Sequence, residues 1–110
     1  MNTDFLLKDI IVFSFLPTTA CTPSLENHQP NRNAVVVQSL LDAGALVMGK
    51  TNMHEIAYGL TSNNAHTGPV RNPYDRTLIA GGSSGGTAAA IAAWIAPAGL
   101  GSDTGGAIRH

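Results

Sequence analysis

The sequence predicts an α/β fold, a mixed sheet flanked by helices, and three observations carry the prediction. Between Ala34 and Met48 an amphipathic helical stretch runs into a glycine and at once into a short apolar strand. Between Thr87 and Ala96 a strong helix former is bracketed by two glycine clusters, at 81–86 and 101–106. Helices and strands alternating at such short range describe a sheet with helices packed on it. The third observation is size. A chain of 110 residues, 44% hydrophobic with 12 Gly and 6 Pro, makes at most one small globular domain and is neither disordered nor fibrous.

The elements follow in order. Phe5 to Leu16 is rich in β-branched and aromatic residues and stops at Pro17, so it reads as extended. Thr18 to Asn33 has the Thr, Pro, Asn, Ser and His content of a loop. Asn33 is a good N-cap for a helix over Ala34 to Ala43, in which Val36, Val37, Leu40 and Leu41 share one face. Gly44 supplies the stop, and Ala45 to Met48 reads as a short buried strand. Thr51 to Tyr58 holds a helical turn or two, with Asn52, Met53, His54 and Glu55 as local capping and packing residues, and Leu60 to Asp75 is loop. The alanine-rich run Thr87 to Ala96 closes at Pro97, and Gly99 to Ser102 reads as a strand. In the alanine-rich run Trp94 either plugs the core or lies exposed for want of partners.

Composition removes several function classes. Only 12% of residues are charged and the net charge is -1, without the basic stripe of a nucleic-acid binder. The lone cysteine, Cys21, cannot form an internal disulfide. The apolar run Ile10 to Leu16 is far shorter than the ~20 residues that cross a bilayer. With Lys8 before it and Thr18-Thr19-Ala20-Cys21 after it, that run loosely imitates a lipoprotein leader. Asp4 and Asp9 sit where such a leader wants positive charge, so the expected location is cytoplasmic. His54, His66 and His110 are too scattered for a metal set. Aromatics are only 5%, and much of the apolar content is Ala and Gly, which bury little area. Such a sequence reads as the inside of a larger protein, with uncovered apolar faces that favour self-association.

Glycine clusters at strand and helix ends let consecutive N–H groups converge on one point. Three readings compete for them. A phosphate loop needs a lysine after the cluster or the G-x-G-x-x-G spacing, and the GG-x-x-GG at 81–86 offers neither. A nucleophile elbow fits Gly82-Ser83-Ser84-Gly85-Gly86, with Ser84 as nucleophile followed by Asp103 and His110, yet only Leu78-Ile79-Ala80 is available as the strand leading in. In the third reading both clusters share one site, where hydroxyls and backbone amides meet a lysine that loses its proton through burial.

The stretch Gly81 to Arg109 resembles the amidase signature family: a GGSSGG loop, an alanine-rich helix, GSDTGG, a nucleophile position and Ile108-Arg109. Leu7-Lys8-Asp9, Gly49-Lys50-Thr51-Asn52-Met53 and Arg71-Asn72-Pro73 match further segments usual there. The resemblance implies a partial amidase-signature core over residues 1–110, truncated at both ends, and hydrolysis of a carboxamide C–N bond by a Ser–Ser–Lys triad. It puts Lys8 on the triad lysine and Ser83 on the serine of a cis peptide, with backbone N–H groups at Thr104, Gly105, Gly106 and residue 107 as the oxyanion hole. Lys50, in its Gly-Lys-Thr-Asn setting, is the alternative lysine; its structural reading is a strand-end lysine bonding neighbouring loops. No cofactor or metal is implied, because lysine supplies the base and the backbone the electrophile.

The sequence departs from the family pattern where it matters most. Residue 107, where the nucleophilic serine belongs, is Ala107, and a methyl group cannot attack a carbonyl. The expectation is therefore an inactive chain, its alternatives being a non-catalytic remnant, a binding module, or a loop at 107 that is plain backbone packing. Asp103 is expected to steady its loop or Arg109. The run Asn63 to Pro73 is similar to members acting on aryl-acetamides, such as indoleacetamide or mandelamide hydrolases, so a small-molecule amide is the expected ligand.

Overall fold

A computed structural model describes residues 3–110 of the chain, so Met1 and Asn2, at the head of the expected 1–110 core, lie outside the described residues. The expected α/β architecture is what it has. Strand β1 (Asp4–Lys8) lies between β2 (Leu46–Thr51) and β5 (Ala98–Leu100), and both pairings are parallel. Alternation along β1 sends successive side chains to opposite faces. Phe5 and Leu7 join Phe13 and Val37 in a buried cluster beneath α1 (Val35–Asp42), with Leu40, Leu41 and Val47 packed around it. Leu6 and Lys8 face the other side. There α2 (Gly85–Ala92) crosses the sheet, and its Thr87 hydroxyl meets that of Thr51 at 2.6 Å and donates to the Leu100 carbonyl at 3.2 Å. Helices on both faces leave the carboxyl end of the central strand as the place where loops from several elements converge.

Several boundaries differ from the sequence reading. The extended stretch from Phe5 ends at Lys8 rather than Leu16, because Ile11 N–H turns back to the Lys8 carbonyl at 2.9 Å and the chain leaves the sheet. Ala34, not Asn33, occupies the N-cap of α1; the Asn33 amide instead accepts from Ser14 N–H at 2.8 Å and donates to Gln38 at 2.8 Å. The strand after Gly44 is longer than expected and half-exposed rather than buried. The turn expected at 51–58 is a short 3-10 helix, Glu55–Ala57. The loop after it carries a two-residue ladder between β3 (Asn63–Asn64) and β4 (Gly68–Pro69). The second helix starts two residues earlier than expected, inside the glycine cluster, and stops at Ala92. The last strand is Ala98–Leu100 rather than Gly99–Ser102. Trp94 is 93% exposed. Among the described residues no helix is long and apolar enough to cross a membrane.

Candidate active site

Lys8 is the last residue of the central strand, and its side chain is fully buried. A buried amine needs partners, and three oxygens supply them. Its Nζ lies 2.6 Å from Ser83 Oγ, 2.8 Å from Ser102 Oγ and 3.5 Å from the Ser102 carbonyl. Burial pushes this amine below the ordinary lysine value of 10.5, and the Asp103 charge opposes that shift. Desolvation dominates, which favours the neutral, basic form.

Ser83 belongs to the loop that opens α2 and is likewise fully buried; the Gly82–Ser83 peptide bond is cis. Its carbonyl accepts from His54 N–H at 3.1 Å. The loop is strapped from beneath by Ser62, whose hydroxyl donates to the Gly81 carbonyl at 2.7 Å and accepts from Gly85 N–H at 3.2 Å. Glycine is required here for two different reasons. Gly81 has φ +78, in the left-handed region, and a Cβ on Gly86 would run into the Asn52 carbonyl.

The second loop follows β5. Asp103 staples it: the carboxylate accepts from Gly106 N–H at 2.7 Å, Ile108 N–H at 3.2 Å and both Arg109 Nε and Nη2, at 2.9 and 3.0 Å. The Arg109 guanidinium and the two backbone donors hold this carboxyl well below the usual carboxylate range. Ser84 then stitches the two loops together. Its hydroxyl donates to the Ser102 carbonyl at 3.1 Å and accepts from Ser102 N–H at 3.3 Å, while its N–H donates to the Ala107 carbonyl at 3.1 Å. Ala107 lines a cleft of about 250 Å³ with Ala57, Tyr58, Gly59, Leu60 and Gly105.

Lys8 and Ser83, 75 positions apart in sequence, are thus brought into direct contact. Of the backbone N–H groups expected near residue 107, that of Gly106 donates to Asp103, whereas those of Thr104, Gly105 and Ala107 have no acceptor among the described residues. One sequence alternative is corrected, and for Lys50 the structural reading holds. The Ser84–Asp103–His110 elbow does not assemble, since Ser84 is spent on Ser102 and Asp103 on Arg109. Lys50 is a structural lysine, bonded to the Ile11 carbonyl and Thr18 Oγ1 at 2.9 Å each and paired with Asp9 at 3.1 Å. Sequence reasoning missed Ser62 and Ser102 as partners of the site. Ser62 stands in an ordinary Thr-Ser-Asn-Asn run with no signal, whereas a hydroxyl inside the second glycine cluster was a usable hint. No set of three or more His, Cys, Asp or Glu side chains able to hold a metal occurs among the described residues.

Comparison with known proteins gives consistent matches. The family model described as Amidase matches residues 4–110. A glutamyl-tRNA(Gln) amidotransferase subunit from Acidothermus cellulolyticus is 50% identical over 104 residues, 94% of this chain and 21% of that protein. The indoleacetamide hydrolase of Agrobacterium vitis is 50% identical over 102 residues, 93% of this chain and 22% of that one. The crystal structure of the corresponding amidotransferase subunit from Thermotoga maritima superposes with a TM-score of 0.93 at 40% identity, covering 96% of this chain and 24% of its own. The chain therefore spans about a fifth of the length of the curated relatives it matches.

Proposed function

The chain belongs to the amidase family, and from that premise we infer that residues 1–110 form part of one amidase-signature core whose site is built for a carboxamide C–N bond. One observation supports this reading above the others: the 2.6 Å contact between a fully buried amine and a fully buried hydroxyl, Lys8 and Ser83, beside the loop that carries residue 107. In such a site the neutral amine takes a proton from Ser83 as Ser83 takes one from an attacking hydroxyl at residue 107. The same path returns the proton to the leaving nitrogen. The amides of Thr104, Gly105 and Ala107 are the donors for the carbonyl oxygen as it gains charge. Metal or cofactor has no part in the reaction so drawn.

Ala107 removes the attacking atom while leaving the base and the donors. The chain as it stands then holds an amide in the cleft without turning it over. Loss of a nucleophile in a comparable hydrolase costs on the order of 10⁶ in rate. An aryl-acetamide is the substrate class to try first, because the Agrobacterium vitis relative is an indoleacetamide hydrolase.

The test is Ala107→Ser. The variant should release ammonia from indoleacetamide and react with a fluorophosphonate at the introduced hydroxyl. Both gains should vanish when Lys8→Met is added, and the unsubstituted chain should do neither. A folded Ala107→Ser protein that stays silent to both reagents removes the triad assignment.

A further inference from the structure

Only one of the three oxygens around Lys8 Nζ takes part in the relay described above. Ser102 provides the other two, its hydroxyl at 2.8 Å and its carbonyl at 3.5 Å. A neutral amine has two N–H donors and one lone pair. A carbonyl can only accept, so it claims one N–H. The direction of the lone pair then turns on the Ser102 hydroxyl. If that hydroxyl accepts the second N–H, the lone pair is left for Ser83. If it donates into the lone pair instead, Ser83 is offered only an N–H and has nowhere to pass its proton.

Ser102 is well held for such a role. It follows β5 by two residues, and its N–H and carbonyl are both bonded to the Ser84 hydroxyl, at 3.3 and 3.1 Å. The charged groups on neighbouring elements are few. Asp103 lies in the same loop and is engaged by Arg109; Asp9 and Lys50 pair with each other at 3.1 Å; α2 carries no titratable side chain.

We propose that Ser102 is the positioning residue of this site: its hydroxyl and its carbonyl together take both N–H bonds of the neutral Lys8 amine and leave the lone pair aimed at Ser83. The proposal rests on the Lys8–Ser83 relay but is tested without turnover. In the chain as it stands, the ¹³C shift of Lys8 Cε is followed through an alkaline titration for the parent, Ser102→Ala, Ser102→Cys and Ser102→Thr. An ammonium binds an acceptor more strongly than a neutral amine does, so losing an acceptor disfavours the charged form. The midpoint should fall by about half a unit or more in Ser102→Ala, and in Ser102→Cys, which keeps the volume but offers a poor acceptor. Ser102→Thr, which keeps the hydroxyl, should restore the parent midpoint. A rise would mean that the hydroxyl donates into the lone pair, and no change would mean that it holds no bond; either result overturns the proposal. Silence of Ala107→Ser toward amides would instead count against the hydrolytic reading, since the titration involves neither substrate nor residue 107.

Discussion

Lys8 links the chemistry of this chain to its stability. Its amine is pushed below the ordinary value of 10.5 in the folded state, by burial first, so it gives up its proton at a lower pH than in the unfolded chain. Between those two points the unfolded chain holds more protons, and folding stability therefore climbs with pH. The penalty is complete below the folded midpoint and gone above 10.5. Denaturant midpoints measured across the alkaline range should rise in the parent relative to Lys8→Met, which keeps the length of the side chain and removes the titration. Cys21, whose thiol is pushed up by burial, acts in the opposite sense in both proteins and cancels from the difference. Parallel pH profiles for the two proteins would show that the amine is charged in the fold. Lys8 and Ser83 are legible in the sequence only through a resemblance that places them, since nothing local to Leu7-Lys8-Asp9 marks a buried lysine. Ser62 and Ser102 escape because a hydrogen-bond partner across 18 to 94 positions leaves no periodic trace in a chain.

At the scale of elements, the sequence announces existence and type better than limits, and the helix ends show why. Both helices stop in the same hydrogen-bond pattern. In α1, Gly44 N–H returns to the Leu41 carbonyl and Ala45 N–H to that of Leu40, each at 3.0 Å; in α2, Trp94 returns to Ile91 and Ile95 to Ala90, again at 3.0 Å. The residue after the C-cap must turn left-handed in this arrangement. Gly44 does so at φ +93 and is readable as a stop. Trp94 does so at φ +62, and nothing in its chemistry advertises the role, so the sequence carries the helix on to Ala96. An L-residue in that conformation costs roughly 1–2 kcal/mol. Because the Trp94 side chain is almost wholly exposed, little packing is lost with it. Trp94→Gly should accordingly stabilise the fold by about 1 kcal/mol, read as a raised denaturant midpoint at constant slope. A destabilised Trp94→Gly would mean that the indole makes contacts worth more than the backbone relief. The N-terminal side of α2 teaches the converse: the glycine cluster is legible as a special backbone, but its use depends on Ser62 and Asn52 approaching from another loop.

For the whole molecule, low charge and an Ala- and Gly-rich composition foretell a sheet without enough cover, and the exposed surface is of that kind. Val35, Phe15, Tyr74 and Trp94 are all more than four-fifths exposed. An apolar groove of about 390 Å³ runs beside α1 between Phe5, Leu40, Ala98 and Leu100. The sheet order β2-β1-β5 leaves β2 and β5 at its edges, and among the described residues neither outer edge has a partner strand. On β2, Leu46 is 49% and Met48 52% exposed, so this edge offers unpaired backbone groups and apolar side chains together. An edge of this sort, without proline and with its one lysine, Lys50, already engaged by Asp9 and Thr18, invites pairing with another strand. A second copy of the chain is the partner always available in a pure solution. Sedimentation should therefore give a weight-average mass that rises above 11.4 kDa as concentration increases. Met48→Lys should move the distribution back toward the monomer, because a charge on the exposed edge must be desolvated before a strand can pair there. A parent protein that stays at the monomer mass into the upper micromolar range would show that the open edges and the groove do not associate, and that the apolar surface is tolerated as it stands.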